Sequence, residues 1–339
     1  MRVVSSVLLI VAIPVSASAH HSGVDLVDRD IVREIEGEVV AVLWRNPHVS
    51  LRIRTQGPDG TEELWTLEGN AVSMLENGGI SRDAISVGDH VRAAGNESRL
   101  REFYLGRSSV LMPDGTEISL TGPRYFSSSG EFLRGTPDEG EISAERVAAS
   151  RERASGIFRV WSRIAVTRPG ELPLTDAARA AQATWHPIDD DAVRRCVPPG
   201  MPRAMSSNPF PIEFIQEGDD VVLRLQEFDA RRLIRMNEDP PGDDTPSTPL
   251  GYSVGHWEEQ TLIVRTTRID YPLFNRLGVP QSDQVAIEER FTLSDNETEL
   301  AYQITVNDPA TFMEPVVGGK VWGWIPGVDI QAYDCAVLE

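Results

Sequence analysis

Short apolar segments of period two, each cut off by a turn signal, constrain this chain more than any other feature. Val49, Leu51 and Ile53 alternate with His48, Ser50, Arg52 and Arg54, so one face of an extended segment is apolar and the other polar. Pro58-Asp59-Gly60 and Pro113-Asp114-Gly115 end two such runs. Proline presets the first turn angle and glycine takes the positive φ that follows. Strands of this length cannot bury their apolar faces alone. They must curve into sheets that cover or close on themselves.

The runs fall into two units. In the first, residues 20–123, strands are expected at 35–44, 49–54, 63–67, 90–94, 104–111 and 117–120, with one short helix at 71–78. Five or six strands around one small helix suit an OB-like barrel. Residues 124–155 read as a linker, rich in Ser, Gly and Pro at its start, with a possible helix at 143–153. In the second unit, residues 156–339, a helix is expected at 175–185. Strands are expected at 157–161, 212–216, 221–228, 233–236, 252–257, 261–270, 286–294, 299–308, 321–324 and 331–334. Such a succession predicts a larger antiparallel meander barrel, lipocalin-like, and barrels of this size often hold one small ligand. The fold class expected is therefore mainly β, with few short helices.

The N-terminus sets the compartment. Residues 1–19 read as a signal peptide: Arg2 precedes the apolar run 3–15, and Ala17-Ser18-Ala19 is a small-residue cleavage pattern. No second apolar run approaches the ~20 residues that a spanning helix needs. The protein is therefore expected in the periplasm or outside the cell, without a membrane span. Cys196 and Cys335 are the two cysteines, and an even count in an oxidising compartment predicts a disulfide. A thiolate metal site is the alternative, without a CxxC spacing to favour it. With 52 acidic and 32 basic residues the net charge is −20, which repels nucleic acid, since binding it needs basic patches.

Cleavage after Ala19 makes His20 the first residue, followed by His21. An α-amine and an imidazole on one residue form a chelating pair, and nitrogen donors suit copper(II). His48, beside Pro47 on the polar side of its strand, is the expected third ligand. A zinc variant would use His21, His48 and His90. Bound copper(II) is compatible with a carrier, or with oxidative chemistry at an open coordination position.

Other residues carry a family likeness. His20-His21-Ser22, Trp44-Arg45-Asn46-Pro47-His48, Ser86-Val87-Gly88-Asp89 and Leu111-Met112-Pro113-Asp114-Gly115 resemble the DUF6152 type, an exported bacterial family of unknown function, over about residues 20–122. Cys196-Val197-Pro198-Pro199-Gly200 and the segment from Gly251 to Glu258 resemble a second exported bacterial group, also of unknown function, over about residues 156–339. That group commonly carries His-Ser-Val-Gly-Arg-Trp-Glu-Gly-Asp-Thr. Here Tyr252 stands for the histidine and Glu259-Gln260 for the Gly-Asp turn.

The second barrel offers another set. Glu227, Arg232, His256, Trp257, Asp270, Glu289 and Tyr302 lie on or beside expected strands. Lining a lumen, they could hold a small hydrophobic molecule, and a carboxylate beside a tyrosine could move a proton. The functional expectation is thus an exported protein with a copper(II) site at its mature N-terminus. The alternative is a carrier or proton-transfer enzyme for a small hydrophobic molecule in the second barrel. Docking of a partner protein on the OB-like unit is a third reading. The motifs of serine hydrolases, P-loop enzymes, dinucleotide binders and zinc proteases are missing from the sequence.

Overall fold

The structure is a computed structural model that describes residues 27–77, 79–126, 130–134, 142–167, 170–206 and 210–336. The expected signal peptide, His20 and His21 lie outside the described residues.

The first unit contains β1 (Val27–Leu43), β2 (Ser50–Gln56), β3 (Glu62–Glu68), α1 (Val72–Asn77), β4 (His90–Ser98), β5 (Tyr104–Leu111) and β6 (Glu117–Ser119). A short β7 (Phe132–Arg134), from the connecting stretch, pairs in parallel with β6. β1 is long enough to serve two neighbours. Its C-terminal half pairs with β2 and its N-terminal half with β4, both antiparallel. A register shift between Val39 and Ala41 marks the bend in the β1–β2 ladder. Gly37 sits where the two ladders meet: a Cβ there would lie 2.0 Å from the Arg54 carbonyl oxygen. β3 pairs with β2 and, in parallel, with β5, which pairs in turn with β4. The five strands thus form a ring, with α1 between β3 and β4, which is the OB-like arrangement expected.

The ring is filled as the period of two requires. Val39, Val49, Leu51, Ile53, Leu67, Leu75, Ile80 and Leu105 are fully buried, whereas Arg54 points to solvent.

α2 (Ala144–Arg153) crosses the connection, capped by the Ser143 hydroxyl, which accepts from the Arg146 amide. The second unit follows: β8 (Val160–Thr167), α3 (Asp176–Ala183), β9 (Ile212–Glu217), β10 (Asp220–Leu225), β11 (Ala230–Met236), β12 (Tyr252–Glu258), β13 (Thr261–Thr267), β14 (Ala286–Leu293), β15 (Glu299–Asn307) and β16 (Val316–Gly323). Nine strands close a barrel in the order β10-β11-β12-β13-β14-β15-β16-β8-β9. The pairings are antiparallel except for β11 with β12, which run parallel. The chain between them therefore crosses over before β12, a departure from a pure meander. The strand expected at 331–334 is not part of the barrel; it is extended chain bridged to the first unit at Cys335.

Alternation also explains the lumen. Ile287, Glu289 and Phe291 on β14 are all buried. Glu288 and Arg290, on the other face, pair with Arg265 and Glu258. Trp161, Phe214, Phe291, Tyr302 and Trp322 fill the interior. Phe214 meets Phe291 edge to face with centroids 5.2 Å apart, Phe291 is tilted against Tyr302 at 4.9 Å, and Phe291 stacks on Trp322 at 6.2 Å. None of the helices in the described residues is long and apolar enough to cross a membrane.

Candidate functional site

The turn from β1 to β2 holds Trp44-Arg45-Asn46-Pro47-His48, and each polar side chain in it has a structural partner. Trp44 donates from Nε1 to Glu76 at 3.2 Å, on α1. Buried Asn46 accepts from the Val72 amide at 3.2 Å through Oδ1, satisfying a donor of the first helical turn. The Asn46 backbone donates to the Asp334 carbonyl and accepts from the Ala336 amide, each at 2.8 Å. The C-terminal segment thus lies along this loop as a one-residue parallel bridge. Arg45 and Asp334 add an exposed ion pair.

His48 stands at the far side of the loop. Its Nδ1 lies 3.0 Å from the Gly69 carbonyl oxygen. A carbonyl can only accept, so Nδ1 donates and the neutral ring carries its lone pair on Nε2. The ring is about half exposed, and Nε2 lies 3.8 Å from Glu68 Oε1. Glu68 closes β3, one residue before the carbonyl that holds His48. Its other oxygen, Oε2, accepts from the Tyr104 hydroxyl at 2.5 Å and from Arg194 Nη2 at 3.3 Å. The Arg101 guanidinium covers the Tyr104 ring, 5.3 Å from its centroid.

Arg194 comes from the second unit, from a turn of 3-10 helix (Ala192–Arg195) just before Cys196. Cys196 and Cys335 are joined, as expected, in a disulfide. The covalent link therefore ties the segment carrying Arg194 to the segment that pairs with Asn46. Buried contacts add to the joint. Gln226 donates to Ser73 at 3.0 Å, and Ala71, Phe210 and Tyr333 share an apolar cluster.

These charges shift Glu68. Burial by itself would raise its pKa, but His48 in its protonated form, Arg194, the Tyr104 hydroxyl and Arg101 outweigh burial and hold the carboxyl below the usual carboxylate range. Burial and the neighbouring carboxylate push the Tyr104 phenol up, so it remains a donor. A depressed folded-state value contributes stability above the unfolded value, near 4.3, which is lost as pH falls through the folded one. Urea unfolding followed from pH 5 down to pH 3 is therefore expected to show a steeper loss in the wild type than in Glu68→Gln. Parallel curves would show that Glu68 does not couple protonation to folding.

The barrel residues divide. Arg232, Glu289 and Tyr302 meet in the lumen, together with Ser253 and Thr266, which pattern reading did not single out. Arg232 grips both Glu289 oxygens, one of them at 3.0 Å, and also donates to Ser253 at 2.9 Å and Thr266 at 2.5 Å. Tyr302 donates to Glu289 at 2.9 Å. All five side chains are buried, packed against the aromatic filling that occupies the lumen. The other four lie elsewhere. His256 is exposed and contacts Glu258 at 3.3 Å, because Ser253 and Gly255 take the inward positions of β12. Trp257 is 41% exposed, and Asp270 is exposed in the loop after β13. Glu227 is half-buried at the rim, beside a cleft lined by Phe210, Lys320 and Trp322 with room for about one water, roughly 10 Å³.

His90 does not approach His48. It pairs with Glu38 on β1, whereas His48 lies beyond Leu43, roughly 17 Å further at 3.3 Å per residue. Among the described residues no three His, Cys, Asp or Glu side chains group as a metal site.

What the fold defines is a protein of two β-barrels, an OB-like one and a nine-stranded one, clasped through the Trp44–His48 loop, the Glu68 carboxylate, the Gln226–Ser73 bond and the cluster of Ala71, Phe210 and Tyr333. The family described as a family of unknown function, DUF6152, matches residues 8–103. The matched stretch contains the Trp44–His48 loop and Glu68. No curated protein matches the chain.

Proposed function

We propose that this is an exported copper(II)-binding protein whose metal is held by His48 together with the amine and imidazole of His20, His21 assisting. The observation that carries the reading is the His48 ring: its Nδ1–H is committed to the Gly69 carbonyl, which leaves Nε2, 3.8 Å from Glu68 Oε1, as the nitrogen with a lone pair on a half-exposed ring. Histidines that bind metal almost always have their second nitrogen fixed in this way.

Chain length agrees. Val27, at the start of β1, and Tyr104 both lie beside Gly106, where a Cβ would come 2.7 Å from the Val27 side chain and 4.0 Å from the Tyr104 ring. The Tyr104 hydroxyl in turn meets Glu68. Residues 20–26, if extended, reach up to roughly 25 Å from Val27. The disulfide and the leader pattern favour an oxidising compartment, and a net charge of −20 favours a cationic ligand. A small hydrophobic ligand in the second barrel lacks comparable support, because aromatic side chains fill that lumen.

Copper(II) titration of exported protein with a verified His20 terminus, read by electron paramagnetic resonance, tests the reading. A single tight, nitrogen-rich site is expected, lost in His20→Ala and in His48→Ala. Binding that survives His48→Ala with its spectrum unchanged would overturn it.

A further inference from the structure

The chain has a single lysine, Lys320; every other one of its 32 basic residues is arginine. We infer that Lys320 is the amine nucleophile of a second site, in the cleft at the rim of the nine-stranded barrel, where it captures a small aldehyde as a Schiff base. That site is independent of copper at His48.

The residue type matters first. Arg159, Arg203 and Arg232 are buried in the second unit, and each holds a carboxylate, Glu297, Asp191 and Glu289 in turn. A guanidinium stays protonated and cannot attack carbon, whereas a lysine amine can shed its proton. Lys320 takes an inward position of β16, in alternation with Trp322, and is 8% exposed. Its Nζ donates to the Met205 carbonyl and lies 4.9 Å from the Trp322 ring centroid and 5.9 Å from that of Tyr302. Lysine nucleophiles arise in desolvated, apolar surroundings of this kind. The carbonyl that orients the amine is itself anchored. Met205 belongs to a turn of 3-10 helix (Arg203–Ser206), and Arg203 donates to Asp191 at 2.8 Å.

Lys320 and Glu227 line the same cleft, with Phe210 and Trp322. Room for about one water, roughly 10 Å³, accepts a carbonyl group and excludes a bulky one. The aldehyde is therefore short. Neutral Nζ attacks the carbonyl carbon; the C–N bond forms as the C=O π bond breaks, and the oxygen takes a proton. The carbinolamine then loses its hydroxyl as water while nitrogen gives up a proton and the C=N bond forms. Aldehyde and amine become imine and water, without an oxidant or reductant. Glu227 is the carboxylate of the cleft that takes up the amine proton and returns one to the departing hydroxyl.

Metal-free protein is treated at pH 7 with acetaldehyde and cyanoborohydride, and ethylated peptides are followed by mass spectrometry. The chain's primary amines are Lys320 and the α-amine, so the second is an internal reference. An ordinary lysine, with a pKa near 10.4 against about 7.7–8.0 for an α-amine, holds roughly several-hundred-fold less neutral amine at this pH. Lys320 is nevertheless expected to be labelled faster than the α-amine. Glu227→Gln is expected to slow Lys320 about 100-fold and to leave the α-amine rate unchanged. Label confined to the α-amine, or reaching Lys320 more slowly, overturns the inference. Lys320 labelled first and equally fast in Glu227→Gln would overturn the proton relay and leave the nucleophile standing.

Discussion

Replacing Cys196 and Cys335 together with serine is expected to lower the unfolding free energy by about 4–5 kcal/mol and to release the C-terminal segment from the Asn46 loop. The magnitude follows from the loop that the bond closes, 139 residues in sequence separation, through the entropy removed from the unfolded chain. The local effect follows from how little else holds that segment. Residues 334–336 pair with Asn46 through two backbone hydrogen bonds and an exposed Arg45–Asp334 pair, and exposed pairs contribute little. Hydrogen exchange at the Ala336 and Asn46 amides reads the release directly, and denaturant unfolding reads the global cost. Unchanged protection in the serine variant would mean that Phe210, Tyr333 and the Gln226–Ser73 bond already suffice to clasp the barrels.

Glu289→Ala is expected to cost about 3–5 kcal/mol, because it leaves the Arg232 guanidinium buried without its counter-charge. The pair is sealed: Arg232 is 2% exposed and Glu289 fully buried. The donors of Arg232 are matched by Glu289, Ser253 and Thr266, and Glu289 also takes the Tyr302 hydroxyl. Burial first, and then the Glu289 charge, push the Tyr302 phenol well up, so it stays a donor. Substituting Arg232→Met and Glu289→Leu together is expected to recover most of the loss, since two apolar side chains of similar volume escape the desolvation penalty that both charges bear. Urea unfolding of the single and double variants decides the matter. A double variant as unstable as Glu289→Ala would show that the polar cluster itself, and not its charge balance, organises the lumen.

The burial of this pair was only half legible beforehand. Alternation along β14 places Glu289 with Ile287 and Phe291, and a reading of period two can see that Glu289 shares their face. It cannot see that Arg232, on a strand three places away in the barrel, arrives opposite. His256 and Trp257 were misleading for the converse reason. An imidazole on a strand looks like lining until its inward neighbours are known, and on β12 those are Ser253 and Gly255; Trp257 shares their parity but stands next to the strand's end, where it is 41% exposed. The parallel pairing of β11 with β12 was equally hidden, because the crossover between them is irregular chain without a helical or strand pattern.

By itself the sequence determined the strand-rich class, the two barrels, the short helices and the pairing of its two cysteines. Each of these follows from local periodicity, turn chemistry or simple counting. Only the tertiary structure decided that Glu68 faces His48, that Tyr104 and Arg194 hold its other oxygen, and that the C-terminal segment lies along the Trp44–His48 loop. Those meetings depend on strand register, on the bend in β1 and on a disulfide between distant segments. Their free energy comes from contacts between parts of the chain that have no pattern in common.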